Sequence, residues 1–263
     1  MLLENKNAII YGAGGAVGGA IARVFAREGA KVFLTGRHLE TIDSVAHDIY
    51  DVGGVAETAQ VDALDEESVE KHISEVAKKA GTVDISFNAI GIPQQSIQGI
   101  ALTELSVDSF ARPITTYTTA QFLTARAAAR RMVAKGSGVI LMHTPEPARL
   151  GVPLVGGMAL AWAAMEAFSR SLSAELGPHG IRAICLRSTG IPETETIDVV
   201  FGLHAKAMGI TRHQFQSLVE GMSHRRRSTT LVELADVAAF MASDRASAMT
   251  GTVANLTGGL IVD

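Results

Sequence analysis

A glycine-rich turn near the start of the chain, residues 11–19, has the residue types and spacing that phosphate binding requires. Glycines let a backbone turn tightly and approach a pyrophosphate closely. The turn separates a predicted strand, residues 7–11, from a predicted helix, residues 18–28, whose amino terminus would offer N–H groups and a positive dipole end. The pattern predicts a dinucleotide site, with a purely structural turn as the alternative. The residues expected to hold the phosphates are Gly12, Gly14, Gly15, Val17 and Gly18.

Arg37 follows the second predicted strand, residues 31–35, at nineteen residues beyond Gly18. An acid at such a position accepts hydrogen bonds from a ribose 2′-hydroxyl and repels a phosphate, whereas an arginine favours the 2′-phosphate of NADP. No acid occurs in this stretch before Glu40, so we predict NADP(H) in preference to NAD(H). The alternative is an arginine that only lies in solvent at a strand end.

Tyr117 and His143 are the side chains best suited to move a proton near such a cofactor. His143 follows the fifth predicted strand, residues 138–142, at the edge of the sheet where ligands bind in this architecture, and an imidazole titrates in the useful range. Tyr117 lies in the preceding long helix, and its phenol could donate a proton into the same cleft. We therefore hypothesise a proton relay between them. The alternative is that Tyr117 packs a helix and His143 is a satisfied, partly buried polar residue.

The composition of the 263 residues is that of one folded domain, with 47% hydrophobic and 19% charged residues. The net charge of −4 argues against a nucleic-acid partner, and the basic run 225–227 is interpreted as a solvated loop. The single cysteine cannot form an internal disulfide, and we predict no metal site. We see no signal-peptide pattern and no apolar stretch long enough for a membrane span, so we expect a cytoplasmic protein with no membrane partner.

Strand-like and helix-like segments alternate along the chain, which is typical of a parallel sheet with helices on both faces. We therefore predict an α/β fold, a single doubly wound Rossmann domain of residues 1–263 with a seven-stranded parallel sheet. The strand-like segments are residues 7–11, 31–35, 55–61, 83–87, 138–142, 181–186 and 252–256.

Two segments stand out from this alternation. Residues 152–176 have a helical pattern that is apolar nearly all round and must be buried on more than one side, so we expect a homo-oligomer, a dimer or tetramer. Residues 190–230 are predicted to form a lid over the carboxyl edge of the sheet, which favours a mostly apolar small-molecule substrate. The apolar residues expected to form this lid are Phe201, Leu203, Met208, Phe215, Leu218 and Met222.

Several motifs resemble those of the short-chain dehydrogenase/reductase family, and they occur in order over essentially the whole chain. The glycine turn is similar to the family signature Gly-x-x-x-Gly-x-Gly, with Ala16 at the middle glycine. Val61 and Asp62 resemble the Val-Asp pair that follows the third strand, and residues 88–91, Asn-Ala-Ile-Gly, resemble Asn-Asn-Ala-Gly. Near the carboxyl end, residues 233–238 and 257–259 resemble further family motifs.

The resemblance implies a Rossmann-fold oxidoreductase that binds a nicotinamide dinucleotide. At the matching positions it implies that Asp62 holds the adenine ring and that Asn88 supports the sheet and lines the cofactor. The cofactor-binding positions that the resemblance adds are Asp62, Ala63, Asn88, Ala89 and Gly190.

The family's catalytic residues are missing from the matching positions. The resemblance places the tyrosine and lysine positions on Met158 and Trp162, and no Tyr-x-x-x-Lys pair occurs in this sequence. The serine position falls on Pro145, where the neighbouring Thr144 hydroxyl is a candidate substitute, and the helix-four asparagine falls on Tyr117. A missing general acid typically costs about 10²–10⁴ in rate.

Three functions therefore stay open from the sequence. The favoured one is an NADP(H)-dependent oxidoreductase with an atypical proton donor, or with a substrate that needs no proton from the protein. The second is a cofactor-binding protein without turnover, acting as a sensor or as an inactive partner in an oligomer. The third is a lyase or isomerase that uses the same pocket. The glycine turn and Arg37 favour the first two.

Overall fold

The computed structural model describes residues 1–262, and a parallel sheet of seven strands lies at its centre. The strands are β1 (Asn7–Tyr11), β2 (Lys31–Gly36), β3 (Val55–Gln60), β4 (Ile85–Asn88), β5 (Gly138–Pro145), β6 (Ile181–Ser188) and β7 (Val253–Leu256). Their order across the sheet is β3-β2-β1-β4-β5-β6-β7. The predicted α/β Rossmann fold with a seven-stranded sheet is confirmed.

Helices pack on both faces of this sheet. The helices in the described residues are α1 (Ala16–Arg27), α2 (Leu39–Asp51), α3 (Glu66–Ala80), α4 (Val107–Lys135), α5 (Met158–Leu176), α6 (Glu195–Met208), α7 (Arg212–Met222) and α8 (Leu231–Ala242), of which α6 and α7 pack against each other in a separate cluster. Successive strand residues point to opposite faces. In β1, Ile10 packs into a core with α1, α2 and α8, whereas Ile9 packs into a second core with α3, α4 and α5. Because both faces are covered, a ligand has access only at the strand ends.

β5 and β6 extend beyond their predicted ends at positions 142 and 186, to Pro145 and Ser188. Their parallel register pairs His143 with Leu186 and Thr144 with Arg187. His143 and Thr144 therefore lie within a strand, so their side chains point to opposite faces of the sheet.

The apolar helix predicted from position 152 begins instead at Met158. Pro153 cannot donate a backbone hydrogen bond, and Leu154 and Gly156 have left-handed φ angles of 64° and 58°, which no helix accepts. The segment before α5 is therefore an irregular loop, and Met158 is the first helical residue.

Residues 190–230, predicted as a lid, contain the helical pair α6 and α7. Thr194 and Thr211 cap the two helices by accepting hydrogen bonds from backbone N–H groups of the first turn. The rings of Phe201 and Phe215 join the helices edge to face at a centroid distance of 5.3 Å. Within residues 1–262, no helix combines the length and apolar character needed to cross a membrane.

Candidate functional site

The turn between β1 and α1 is packed so closely that two of its positions leave no space for a side chain. Gly12 has a φ of +72°, and a Cβ there would lie 2.8 Å from the carbonyl oxygen of Ala89. A Cβ at Gly18 would lie 2.4 Å from the carbonyl oxygen of Gly12. These two glycines therefore allow the turn to fold against β4 and against itself.

Gly15 differs from these two glycines because it is exposed and has space for a Cβ. A Cβ there would meet no protein atom closer than the Gly12 carbonyl oxygen at 3.4 Å. Gly15 is also the residue before α1, and no side chain caps this helix. The amino terminus of α1 is thus open to an anion, and the turn fits the pyrophosphate of a nicotinamide dinucleotide.

Arg37 and Asp62 lie just beyond the carboxyl ends of the neighbouring strands β2 and β3. Both side chains are exposed, whereas Ala63 is buried. In residues 1–262, the Arg37 guanidinium has no ion-pair partner, although the Arg37 carbonyl accepts a hydrogen bond from Gln60. The Asp62 carboxylate accepts a hydrogen bond from the Leu64 N–H at 3.0 Å. Both groups therefore lie at the carboxyl edge of the sheet, on the side of β1 where β2 and β3 lie.

Asn88 fastens the end of β4 to α4. Its Nδ2 donates to the Ala120 carbonyl at 3.2 Å and to the Thr124 hydroxyl at 3.0 Å. Its Oδ1 accepts from the Ile90 N–H at 3.0 Å, and its own carbonyl accepts from Gln121. These hydrogen bonds fix the carboxyl end of β4 to α4, and Asn88 also lines the cavity.

A cavity of about 260 Å³ runs from the glycine turn across the ends of β4, β5 and β6 to helices α6 and α7. Its wall is mainly apolar and aromatic, as expected for a small-molecule site. Five of the predicted cofactor positions line it, and Ala16 of the glycine turn lies in the same wall. The five are Gly15, Val17, Asn88, Ala89 and Gly190. The catalytic candidates and family positions that line it are Tyr117, His143, Pro145, Met158 and Trp162.

Only two of the six apolar lid residues that were expected at the cavity line it. Phe201 and Phe215 line it. Leu203 packs instead against Gly99, and the other three face solvent, with Met208, Leu218 and Met222 exposed. These three positions lie on the outer side of two helices, which a loop prediction could not distinguish from the inner side.

Thr144 was predicted as a substitute for the catalytic serine, but its side chain points away from the cavity. It is fully buried, and its hydroxyl donates to Glu166 Oε1 at 3.0 Å and contacts Cys185 Sγ at 3.4 Å. It is not part of the cavity wall, because the strand turns its side chain towards α5. The Thr144 hydroxyl is therefore bonded away from the cavity in this structure.

Tyr117 and His143 reach the cavity from different faces of the sheet. Tyr117 packs in the core with α4 and α5, whereas His143 pairs in register with Leu186, which packs on the α1 side. His143 Nε2 lies 2.8 Å from the Ser188 hydroxyl, which itself donates to the Thr189 carbonyl. In the described part of the chain they do not hydrogen-bond each other, so the proposed relay stays a hypothesis that needs a bridging molecule.

Comparison with known proteins decides the family. A family model described as enoyl-(acyl carrier protein) reductase matches residues 12–261 of this chain. The chain belongs to the short-chain dehydrogenase/reductase family. It is 30% identical to the uncharacterized oxidoreductase YxbG of Bacillus subtilis, over 98% of this chain and 92% of the relative. It is 29% identical to the 3-oxoacyl-[acyl-carrier-protein] reductase FabG of Chlamydia muridarum, over 98% of each.

The structural comparison agrees with this membership. A gluconate 5-dehydrogenase from Burkholderia cenocepacia, solved in complex with NADP and tartrate, superposes with a TM-score of 0.86 at 25% identity. The alignment covers 98% of this chain and 96% of that protein. This short-chain dehydrogenase/reductase is therefore similar to oxidoreductases over almost its whole length.

A chain of polar side chains ties the lid of this short-chain dehydrogenase/reductase to α4. The Tyr117 phenol bonds with Gln94 and the Ile92 backbone, Gln98 donates to Gln94 at 2.6 Å, and His204 of α6 bonds Gln98 at 3.1 Å. Burial raises the pKa of Tyr117 to about 12. Gln94 and Gln98 carry no recognisable sequence signal because they lie in an irregular segment before α4.

Glu146 is a further cavity residue that the sequence did not single out. It begins a short 3₁₀ turn directly after β5, between Pro145 and Pro147, and lines the cavity. Its Oε2 is buried with no hydrogen-bond partner in residues 1–262. Burial raises the pKa of this carboxyl to about 7, although N–H groups of Glu146 and Gly190 bond to it. A carboxylate between two prolines at a strand end was the signal available in the sequence.

His143 makes the stability of this protein sensitive to acid. Burial lowers the pKa of His143 to about 4, below the unfolded value of about 6.5. Because the folded pKa is depressed, the unfolded state binds the proton first, and stability is lost as pH falls below about 6.5. Between pH 7 and 5, the free energy of unfolding of His143→Asn should therefore fall by about 2 kcal/mol less than that of the wild type.

Denaturant unfolding at the two pH values measures this difference. The exposed His179→Asn variant is the control, and it should follow the wild type. A His143→Asn variant with the same pH slope as the wild type would show that the folded protein accepts a charged His143.

Proposed function

We propose that this protein is an NADP(H)-dependent oxidoreductase that acts on a mostly apolar small molecule in an active site without the Tyr-x-x-x-Lys pair. The observation that carries the proposal is the single cavity that joins the open amino terminus of α1 to an apolar, aromatic pocket under α6 and α7. The glycine turn would hold the pyrophosphate, and Asn88 and Gly190 would line the nicotinamide end. The bound cofactor would supply or accept a hydride.

The residues around the reacting end differ in chemistry from an ordinary carbonyl-reducing site. Met158 and Trp162, at the positions where the resemblance puts tyrosine and lysine, are buried in the cavity wall, and neither exchanges protons. The lowered pKa of His143 keeps its imidazole neutral near pH 7. The raised pKa of Tyr117 keeps its phenol protonated. Glu146 is the wall group that titrates nearest to neutral pH.

The preference for NADP(H) rests on Arg37. A guanidinium that bonds the 2′-phosphate contributes about 1.5–3 kcal/mol, because charged hydrogen bonds are the strong ones. We therefore expect Arg37→Ala to weaken NADPH binding by about 10- to 100-fold and to leave NADH binding unchanged. Titration of each nucleotide, followed by nicotinamide fluorescence, gives both dissociation constants.

Arg245→Ala is the matched control, because Arg245 is also an exposed arginine but lies after α8, remote from the glycine turn. It should change neither dissociation constant. Equal loss of NADPH and NADH affinity in Arg37→Ala would contradict a contact with the 2′-phosphate. Tighter binding of NADH than NADPH by the wild type would overturn the preference itself.

A second candidate function is cofactor binding without turnover, as in a sensor or an inactive oligomer partner. The burial of Met158 and Trp162 in the cavity wall favours it. The two functions are separated by NADPH oxidation with carbonyl, enone and imine substrates. The oxidoreductase requires turnover with at least one class, whereas the second function requires tight NADPH binding with none.

We also propose that the protein is a homo-oligomer, a dimer or tetramer, in the cytoplasm. Apolar side chains lie exposed on α4 and α5, where Phe122 is 46% and Leu160 48% accessible in the isolated chain. Phe168 lies against Phe122 at a ring-centroid distance of 6.3 Å and extends the same surface. A second copy would cover it.

A further inference from the structure

Glu146 lies in a cavity wall without positive charge. Within residues 1–262, the wall contains neither lysine nor arginine. Its two histidines, His143 and His204, both have pKa values lowered by burial and are neutral near pH 7. An anionic substrate would therefore find no counter-charge in the pocket and would be repelled by Glu146.

The Glu146 carboxylate lacks the partner that a buried charge requires. Oε2 is inaccessible and has no hydrogen-bond partner among the described residues, although two backbone N–H groups reach the carboxylate. A buried charged group left unpaired is costly, and a positively charged ligand would remove that cost by pairing with it.

Aromatic rings complete the surroundings of a cation. Trp162 and Tyr117 line the cavity from α5 and α4, and Phe201 and Phe215 line it from the lid. Aromatic faces attract cations, most strongly when water is excluded. The wall therefore combines one carboxylate with four rings, which suits a small cation with an apolar body.

We propose that this cavity recognises a protonated imine through an ion pair with Glu146, and that the amine product, formed neutral, makes the same ion pair once it has taken a proton from water. This substrate class rests on the proposed oxidoreductase function and deepens it. The imine carbon would accept a hydride from the bound reduced dinucleotide, and the two electrons of that hydride would form the new C–H bond. The C=N π electrons become the nitrogen lone pair, and the positive charge is transferred to the oxidised dinucleotide. The imine arrives protonated, so the reaction needs no proton from Met158 or Trp162.

Ligand binding tests the charge preference independently of turnover. Benzylamine, benzyl alcohol and benzoate share one ring and differ in charge, so each is titrated by calorimetry into the protein saturated with NADP⁺. We expect benzylamine to bind most tightly and benzoate not to bind. Glu146→Gln should weaken the binding of benzylamine by about 10- to 100-fold, because one charged hydrogen bond is lost, and should leave the binding of benzyl alcohol unchanged. Glu175→Gln, an exposed acid at the end of α5, is the control and should have no effect.

Turnover gives a second readout. Dihydroisoquinoline, a cyclic imine, should be reduced faster than tetralone, a ketone of the same ring size. Equal binding of benzylamine and benzyl alcohol by the wild type would overturn the proposal even if Glu146→Gln fails to fold. Ketone reduction that is lost in Glu146→Gln without loss of benzylamine binding would also overturn it, and would assign Glu146 to proton transfer. Failure of NADPH binding would instead contradict the proposed function.

Discussion

Gly15→Ala is expected to fold as stably as the wild type and to bind NADPH about 10- to 100-fold more weakly. Its backbone has an ordinary φ of −83°, and its Cβ would meet no protein atom closer than 3.4 Å. The methyl group would fill the space at the amino terminus of α1, where the pyrophosphate would lie. The melting temperature without ligand and the NADPH dissociation constant measure the two effects separately.

Gly18→Ala is the matched comparison, because the same methyl group is added within the first turn of α1 instead of at the residue before the helix. A Cβ there would lie 2.4 Å from a backbone oxygen, so the turn must shift, at a cost of about 1–3 kcal/mol or more. Both stability and NADPH binding should fall. If Gly15→Ala binds NADPH like the wild type, the pyrophosphate does not approach Gly15, and the dinucleotide site is placed wrongly.

Glu166→Ala is expected to destabilise the fold by about 3–5 kcal/mol, the usual cost of removing one partner from a buried ion pair. Glu166 and Arg187 join α5 to β6 through two hydrogen bonds of 2.7 and 2.6 Å, and their side chains are only 6% and 4% exposed. The variant leaves the Arg187 charge without this carboxylate and removes the acceptor of the Thr144 hydroxyl. The melting temperature should fall by about 10 °C.

Two further variants test this explanation. The double variant Glu166→Met, Arg187→Met removes both charges and should lose less stability than Glu166→Ala. Asp244→Asn removes an exposed ion pair with Lys6 and should change stability by less than about 1 kcal/mol. If the double variant is less stable than Glu166→Ala, the cost arises from lost packing and not from the broken ion pair.

The sequence predicted the fold because its local signals agree with the tertiary structure. The strand predicted at residues 7–11 is β1 at its observed bounds. Local signals also bound α3 in the structure, since Asp65 caps its start and Gly81, with a φ of 77°, ends it. The predicted start of α5 was wrong because the apolar pattern continues through the loop around Pro153. Two residues with left-handed φ angles prevent a helix there.

The candidate site was less predictable because its geometry depends on long-range contacts. Thr144 was a reasonable candidate by position, but the extension of β5 turns its hydroxyl to Glu166. Gln98 contacts His204, which is 106 residues away in the chain, and no local pattern reports such a pair. Glu146 stands out only when the cavity shows that its carboxylate lacks a cationic neighbour.

Calorimetric titration of the purified wild-type protein with NADPH, and in parallel with NADH, tests the central claim most directly. A ligand that binds the folded state also raises the melting temperature, which gives an independent check. We predict one saturable site per chain for NADPH, with weaker binding of NADH. If neither nucleotide binds, the open terminus of α1 is not a dinucleotide site, and the oxidoreductase function is contradicted.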